Sequence, residues 1–276
     1  MTRNSYSIDE LEARARILRR HVVRLVEKVK IGYLLQGLGA ADIFAALYFS
    51  ELRLHEDDAH WAGRDRCILS TAHNTAVFYA TLVERGLLPR AMLDHYTEDG
   101  SPLEVNASER VGPLVEATCG SLGQGLSVGV GMALSARRRQ TGSRIYVILG
   151  DGELQEGQVW EAALAAGSLG LDNLCLIIDR NAMQVEGHTD KVSKMDPIDA
   201  KFAAFGWQAS AIDGNSMPAI IDALDAARVT VGRPSLIVAN TRTGKGVPFL
   251  EGQLSHLARL SPDDAVRALE ALKDPF

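Results

Sequence analysis

Cysteine is scarce in this chain, with Cys67, Cys119 and Cys175 as the whole complement. An odd number without metal-ligand spacing excludes a disulfide framework and a zinc cluster. Two of the three sit in apolar, strand-like runs, so buried free thiols and a reducing compartment are expected. Long apolar stretches are missing as well: none approaches the ~20 residues that a membrane span needs. The opening Met-Thr-Arg-Asn-Ser-Tyr has no signal core, so the expectation is a cytoplasmic chain with no membrane partner. Basic blocks are also lacking. Against 29 Lys and Arg stand 35 Asp and Glu, a net charge of −6, and nothing here suggests a nucleic-acid partner. The short Arg137-Arg138-Arg139 closes an apparent helix, where cations favour the dipole.

What remains is ordinary globular composition, 46% hydrophobic and 23% charged over 276 residues, enough to bury a large core. Ser7-Ile8-Asp9-Glu10 is a capping-box signature, followed by Leu11, Ala15, Leu18, Val22, Leu25 and Val29 at helical spacing. Further helices are expected over 40–52, 74–85, 89–96, 122–140, 156–169 and 196–205, then from Ser216 and from Ser261. Strands are expected over 67–70, 145–149, 174–178, 207–212 and 235–240. Residues 99–119 read as a long loop of the kind that often carries function. The glycines 123, 125, 129 and 131 would give the helix after Leu122 a face for close packing. Strands alternating with helices, without a linker or repeat, predict an α/β fold: a doubly wound, mostly parallel sheet with helices on both faces. The expectation is a single domain over 1–276.

Two polar clusters end two of the apolar runs. Ile145–Leu149 leads into Gly150-Asp151-Gly152-Glu153-Leu154-Gln155-Glu156-Gly157, and 174–178 leads into Asp179-Arg180-Asn181-Ala182-Met183. In an open α/β sheet, ligands collect at the carboxyl ends of strands. A Mg²⁺ ion wants octahedral oxygen, and Asp151, the Asn181 amide oxygen and a nearby backbone carbonyl would leave room for phosphate oxygens and a water. Glycine at 150 and 152 would let the backbone turn and approach an anion closely. Thirty residues separate Asp151 from Asn181, room for a crossover helix and the next parallel strand. A bare Gly-Asp-Gly also makes an ordinary strand-to-helix turn.

The flanks carry more. Gly-Asp-Gly-Glu-Leu-Gln-Glu-Gly with Asn181 thirty residues on resembles the thiamine-diphosphate fingerprint of transketolases. Gly120-Ser121-Leu122-Gly123-Gln124-Gly125 resembles that family's Gly-Pro-Leu-Gly-Gln-Gly, and Arg64 to His73 resembles its Arg-Asp-Arg-Phe-Ile-Leu-Ser-x-Gly-His. The likeness runs in order from about Leu11 to about Pro262.

The resemblance implies a thiamine-diphosphate-binding fold and transfer of a two-carbon unit from a ketose-type donor to an aldehyde or related acceptor. It implies thiamine diphosphate with Mg²⁺, for which Ca²⁺ or Mn²⁺ could substitute. The ion would be held by Asp151, Asn181 and the Met183 carbonyl. Gly120 and Leu122 would lie along the aminopyrimidine, Gly150 and Gly152 beside the diphosphate. Glu156 would belong to the path linking paired active sites, with His73 near the cofactor and His256 near the bound donor. On their residues alone, His73 could as well be a satisfied polar residue at a helix start and His256 a surface residue. Asp179 reads as structural, since a carboxylate at a strand end can cap the following turn.

Two departures bear on substrate. Tyr33 stands where the family's Gly-His-Pro-Gly-Gly-Ser-Leu-Ser has histidine, and Ser101 replaces a second histidine in the long loop. Because the likeness covers only the diphosphate-binding domain, it implies a split enzyme. A separate carboxy-terminal subunit would supply the pyrimidine-binding domain in a heterotetramer. The helix from Leu122 and the apolar residues Ile43, Leu47 and Phe49 are candidate interface surfaces. Two other readings stay open: the alpha subunit of a pyruvate-dehydrogenase-like or acyloin-forming enzyme, and a non-catalytic regulatory homologue.

Overall fold

A computed structural model describes residues 6–30, 32–55 and 58–273. Five parallel strands form the sheet: β1 (Arg66–Leu69), β2 (Ile145–Gly150), β3 (Leu174–Arg180), β6 (Gln208–Asp213) and β7 (Ser235–Asn240), in the order β1-β2-β3-β7-β6. The small antiparallel pair β4 (Met183–Gln184) and β5 (Gly187–His188) lies outside it. Side chains alternate across the sheet. Tyr146, Ile148, Cys175, Ile177 and Ile237 enter one core, whereas Ile145, Val147, Leu174, Leu176 and Val238 enter the other. At roughly 1.5–3 kcal/mol for each aliphatic side chain fully buried, both faces have to be covered by helices.

The first face is covered by α1 (Ile8–Val29), α2 (Leu34–Ala46), α3 (Thr75–Glu84), α8 (Met217–Val229) and α9 (Pro262–Ala271). The second is covered by α4 (Gln124–Arg138), α5 (Gly157–Ser168) and α7 (Ile198–Ala204), with the single turn α6 (Thr189–Val192) after β5. The doubly wound architecture is therefore the one expected. Helix starts follow the sequence where a cap marks them. Ser7 and Glu10 form the reciprocal capping box at α1, and the Ser261 hydroxyl accepts from the Asp264 N–H at α9. All three cysteines are buried and free. Among the described residues no helix is long and apolar enough to cross a membrane.

Three expectations need correction. α2 begins at Leu34 rather than at 40, and it is buried on every side with no side-chain cap at its start, so the sequence shows neither a cap nor an amphipathic period. It continues through a π-helical turn, Leu47–Glu51. Ile43, Leu47 and Phe49, expected at an interface, are 1%, 0% and 2% exposed and belong to the first core. The glycines of α4 do not share one role. A methyl group would come within 2.4 Å of Ser70 Cβ at Gly125 and within 2.6 Å of Val147 Cγ2 at Gly129, so these two let the helix lie against the sheet. Gly131 is exposed and would meet nothing within 4 Å, and Gly123, at φ +82°, takes the left-handed conformation that starts the helix.

Candidate functional site

Adjacent parallel strands bring the two polar clusters together. Gly150 at the end of β2 is in register with Asp179 on β3, and the Asp151 N–H continues the ladder to the Asp179 carbonyl at 3.3 Å. Asp151 is 3% exposed. Its Oδ2 accepts from the Ala182 N–H and from the Thr189 hydroxyl, each at 3.0 Å. Its Oδ1 is buried and has no hydrogen-bond partner among the described residues. Burial, helped by the nearby Asp179, pushes the Asp151 carboxyl up to about 7 against the opposing hydrogen bonds from Thr189 and the Ala182 N–H.

Asn181 is oriented from both ends. Its Nδ2 donates to Asp179 at 3.4 Å and its Oδ1 accepts from the Met183 N–H at 3.0 Å, which fixes which end of the amide is oxygen. Between them Ala182 has φ +60°, a left-handed conformation that a side-chain-bearing residue takes only at a cost of roughly 1–2 kcal/mol. That turn points the Ala182 N–H at Asp151. Asp179 is structural, as expected: fully buried, it accepts from Asn74, Thr241 and Asn181, and burial raises its pKa.

Neither Gly150 nor Gly152 makes a left-handed turn, since neither has positive φ, and at Gly150 a methyl group would meet Thr71 only at 3.5 Å, an ordinary contact. A methyl group on Gly152 would come within 2.9 Å of Gln184 Cβ, so its absence lets β4 close over the turn. Glu153, three residues after Gly150, carries no signal in the sequence that sets it apart. It is 3% exposed and accepts from the Ser70 hydroxyl, from the Gly123 N–H at 2.8 Å and from the Gly150 N–H at 3.3 Å. One buried carboxylate thus ties the end of β1, the start of α4 and the Gly-Asp-Gly turn together, and its burial raises its pKa.

These elements surround a cleft of about 120 Å³ lined by Asp151, Gly150, Gly152, Asn181, Met183, His73, His256, Leu122, Glu156 and Gln36, with Glu153 and Gln184 among the others. Leu122 is partly exposed there, and Gly120 is exposed in the loop just before it. Glu156 is exposed at the start of α5. The rings of His73 and His256, which line the cleft, form a triangle with that of Tyr33, edge to face, with centroids 4.6–5.3 Å apart. Burial, helped by His256, lowers His73 to about 4, and burial lowers His256 as well, so both imidazoles are neutral near pH 7. Ser101 is not brought into this cleft. Its Oγ accepts from the Leu103 N–H at 3.1 Å, and it lines a separate hollow with His95 and Glu98.

The donor set fits a hard dication. An unpartnered buried carboxylate oxygen, an oriented amide oxygen and a main-chain carbonyl are oxygen ligands of the type Mg²⁺ or Ca²⁺ takes, and a cation would offset the cost of burying Asp151 as an anion. Among the described residues no group of three or more His, Cys, Asp and Glu is placed to hold a metal by itself, so oxygens from a bound ligand would have to complete the shell.

Comparison with known proteins bears on what that ligand is. Residues 11–273 match the family model described as transketolase, thiamine diphosphate binding domain. A putative transketolase family protein of Sinorhizobium fredii is 42% identical over 266 residues, which is 95% of each chain. A 6-deoxy-6-sulfo-D-fructose transketolase subunit of a Clostridium species is 37% identical, covering 92% of this chain and 93% of that one. One of the apulose-4-phosphate transketolase subunits of Phocaeicola vulgatus is 36% identical, covering 89% of this chain and 87% of that one. The crystal structure of Campylobacter jejuni transketolase superposes with a TM-score of 0.90 at 32% identity, covering 97% of this chain but 43% of that enzyme.

Proposed function

This chain belongs to the transketolase family of transferases, as its thiamine-diphosphate-binding domain, and on that premise we propose that it is the diphosphate-binding subunit of a two-component, Mg²⁺-dependent transketolase. The reaction is transfer of a two-carbon unit from a ketose-type donor to an aldehyde or related acceptor. The observation that carries this reading is the buried, unpartnered Asp151 Oδ1 facing a cleft shared with Asn181 and Met183. Those three residues would hold the ion, and Gly150 and Gly152 would admit the diphosphate beside it. Gly120 and Leu122 would flank the aminopyrimidine. Bound there, thiamine diphosphate supplies the carbanion stabilisation that the transfer needs.

The chain's own residues handle the donor. His73 and His256, neutral and packed against Tyr33, can each donate from one ring nitrogen and accept at the other. The Tyr33 hydroxyl has one proton to give, so it offers the donor a single hydrogen bond in place of an imidazole's two ring nitrogens. Replacing a histidine by Tyr33 favours a donor other than an ordinary ketose phosphate, and Ser101 acts on it only if its loop moves. Exposed Glu156 is available to a second active site across an interface.

Coverage supports the two-component reading, since relatives that this chain spans almost completely carry the name of transketolase subunits. The partner is a carboxy-terminal subunit supplying the pyrimidine-binding domain, in a heterotetramer of two copies of each. The test is to reconstitute the pair and offer ketose phosphates, unphosphorylated ketoses and pyruvate in parallel. Turnover of a ketose by the pair, with none by this chain alone, is expected. Turnover of pyruvate alone would favour the pyruvate-dehydrogenase-like alternative, and none with any donor would favour a regulatory homologue.

A further inference from the structure

Gln36 lies on α2, whose thirteen residues are all buried, and is itself 2% exposed. Its neighbours Leu34, Leu35 and Leu38 are the residues such a position calls for, and an amide among them is costly unless both of its ends are paired. One end is paired. Nε2 donates to the main-chain carbonyl of His256 at 3.1 Å, and because a carbonyl can only accept, this bond fixes the amide with its nitrogen on His256. Oε1 is buried without a partner among the described residues, and Gln36 lines the cleft that holds Asp151. On the same side of the cleft, His256 Nδ1 is also buried and unpartnered. Gln36 follows Tyr33 by three residues, one helical turn further along the same face.

Two buried polar atoms without partners among the described residues, on side chains that line the cleft and are joined through the Gln36–His256 hydrogen bond, form a recognition point for a hydroxyl. None of the described residues lining the cleft is a lysine or arginine. What these two side chains offer in the cleft is neutral hydrogen bonding, which suits a hydroxyl rather than an anionic group.

We infer that Gln36 is a specificity-determining residue, whose Oε1 accepts a hydrogen bond from a hydroxyl of the ketose donor other than the C3 hydroxyl. This rests on the transketolase reading above and narrows its substrate class to donors carrying that hydroxyl. The C3 hydroxyl is set apart because it becomes the aldehyde of the product. When the C2–C3 bond breaks, the C1–C2 fragment passes to the acceptor aldehyde, the C3 hydroxyl gives up its proton, and the remainder leaves as an aldehyde.

Erythrulose and its two deoxy analogues, 1,3-dihydroxybutan-2-one and 3,4-dihydroxybutan-2-one, test this with the reconstituted pair. Each analogue keeps the C2 carbonyl and C3 hydroxyl and lacks one other hydroxyl. Gln36→Met keeps the length of the side chain and removes the acceptor. It should lower kcat/KM for erythrulose by about tenfold or more, as expected when a hydroxyl-reading group is lost. For the analogue lacking the hydroxyl that Gln36 reads, kcat/KM should change less than about threefold, the non-additivity of two groups in contact. Gln36→Glu should restore discrimination in mild acid, where its protonated carboxyl donates to the same carbonyl and turns the other oxygen to the cleft. An equal loss for all three donors in Gln36→Met, or no restoration in Gln36→Glu, would overturn the assignment while leaving the transketolase reading intact. A wild-type pair that turns over no ketose would overturn both.

Discussion

Thr189 donates its hydroxyl to one oxygen of Asp151 at 3.0 Å, and the other oxygen of that carboxylate has no partner among the described residues. Thr189 comes from the turn after the β4–β5 hairpin, 38 residues beyond Asp151, so the carboxylate proposed to hold the metal is aimed by a segment far from it in sequence. A hydrogen bond to a charged group contributes about 1.5–3 kcal/mol, and its loss frees the carboxylate to rotate. Thr189→Val should weaken Mg²⁺ binding to the cofactor-loaded pair by roughly 10–100-fold, with the fold intact. Titration of Mg²⁺ at fixed thiamine diphosphate measures it, and an unchanged Kd would show that Thr189 does not orient the ligand.

The protonation of Asp151 should be visible in stability. Burial raises its folded pKa from 3.8 to about 7, so between those values the cation-free native state holds a proton that the unfolded chain has lost. Its contribution to stability is therefore full below the ordinary carboxylate range and falls as pH rises towards about 7. His73 acts oppositely: lowered from 6.5 to about 4, it costs stability as pH falls through that interval. Urea denaturation of metal-free wild type and Asp151→Asn over a pH series separates the two. The difference between the proteins should change steadily up to about neutral pH and then level off. A difference independent of pH would mean that Asp151 titrates normally. Mg²⁺ affinity should rise with pH over the same interval.

Glu153 holds three segments with one buried carboxylate. Glu153→Ala would leave the Ser70 hydroxyl and the Gly123 and Gly150 N–H groups without that acceptor, for a loss of about 3–5 kcal/mol. Glu153→Gln keeps the volume but trades an acceptor for a donor, and should cost about 1–2 kcal/mol. Chemical denaturation of the two variants should give that order, and equal small losses would show the three contacts to be incidental.

Much of this is legible in the chain. The runs ending at Leu149 and Ile178 are apolar throughout because β2 and β3 are buried on both faces, and that makes the strand ends and their carboxylate and amide readable. Ser7 and Ser261 announce their helices through local hydrogen bonds. What sequence does not show depends on contacts across the fold. Leu34 starts α2 without a cap, and Ile43, Leu47 and Phe49 look like a sticky face until the helices that bury them are known. Glu153 resembles a first-turn acid, yet it points inward because Gly123 and Ser70 meet it there. Gln36 sits inside a motif that departs from the family's, and only its orphaned oxygen shows what it could do.

The most direct test of the cation–diphosphate site is calorimetric titration of thiamine diphosphate into the assembled pair, for wild type, Asp151→Ala and Asn181→Ala, each with Mg²⁺ and with a chelator. The account predicts that wild type binds only with the ion, that Asp151→Ala abolishes binding and that Asn181→Ala weakens it strongly, because either change leaves the diphosphate beside an under-coordinated ion. Cofactor affinity unchanged in both variants, or binding by wild type that survives the chelator, would contradict it.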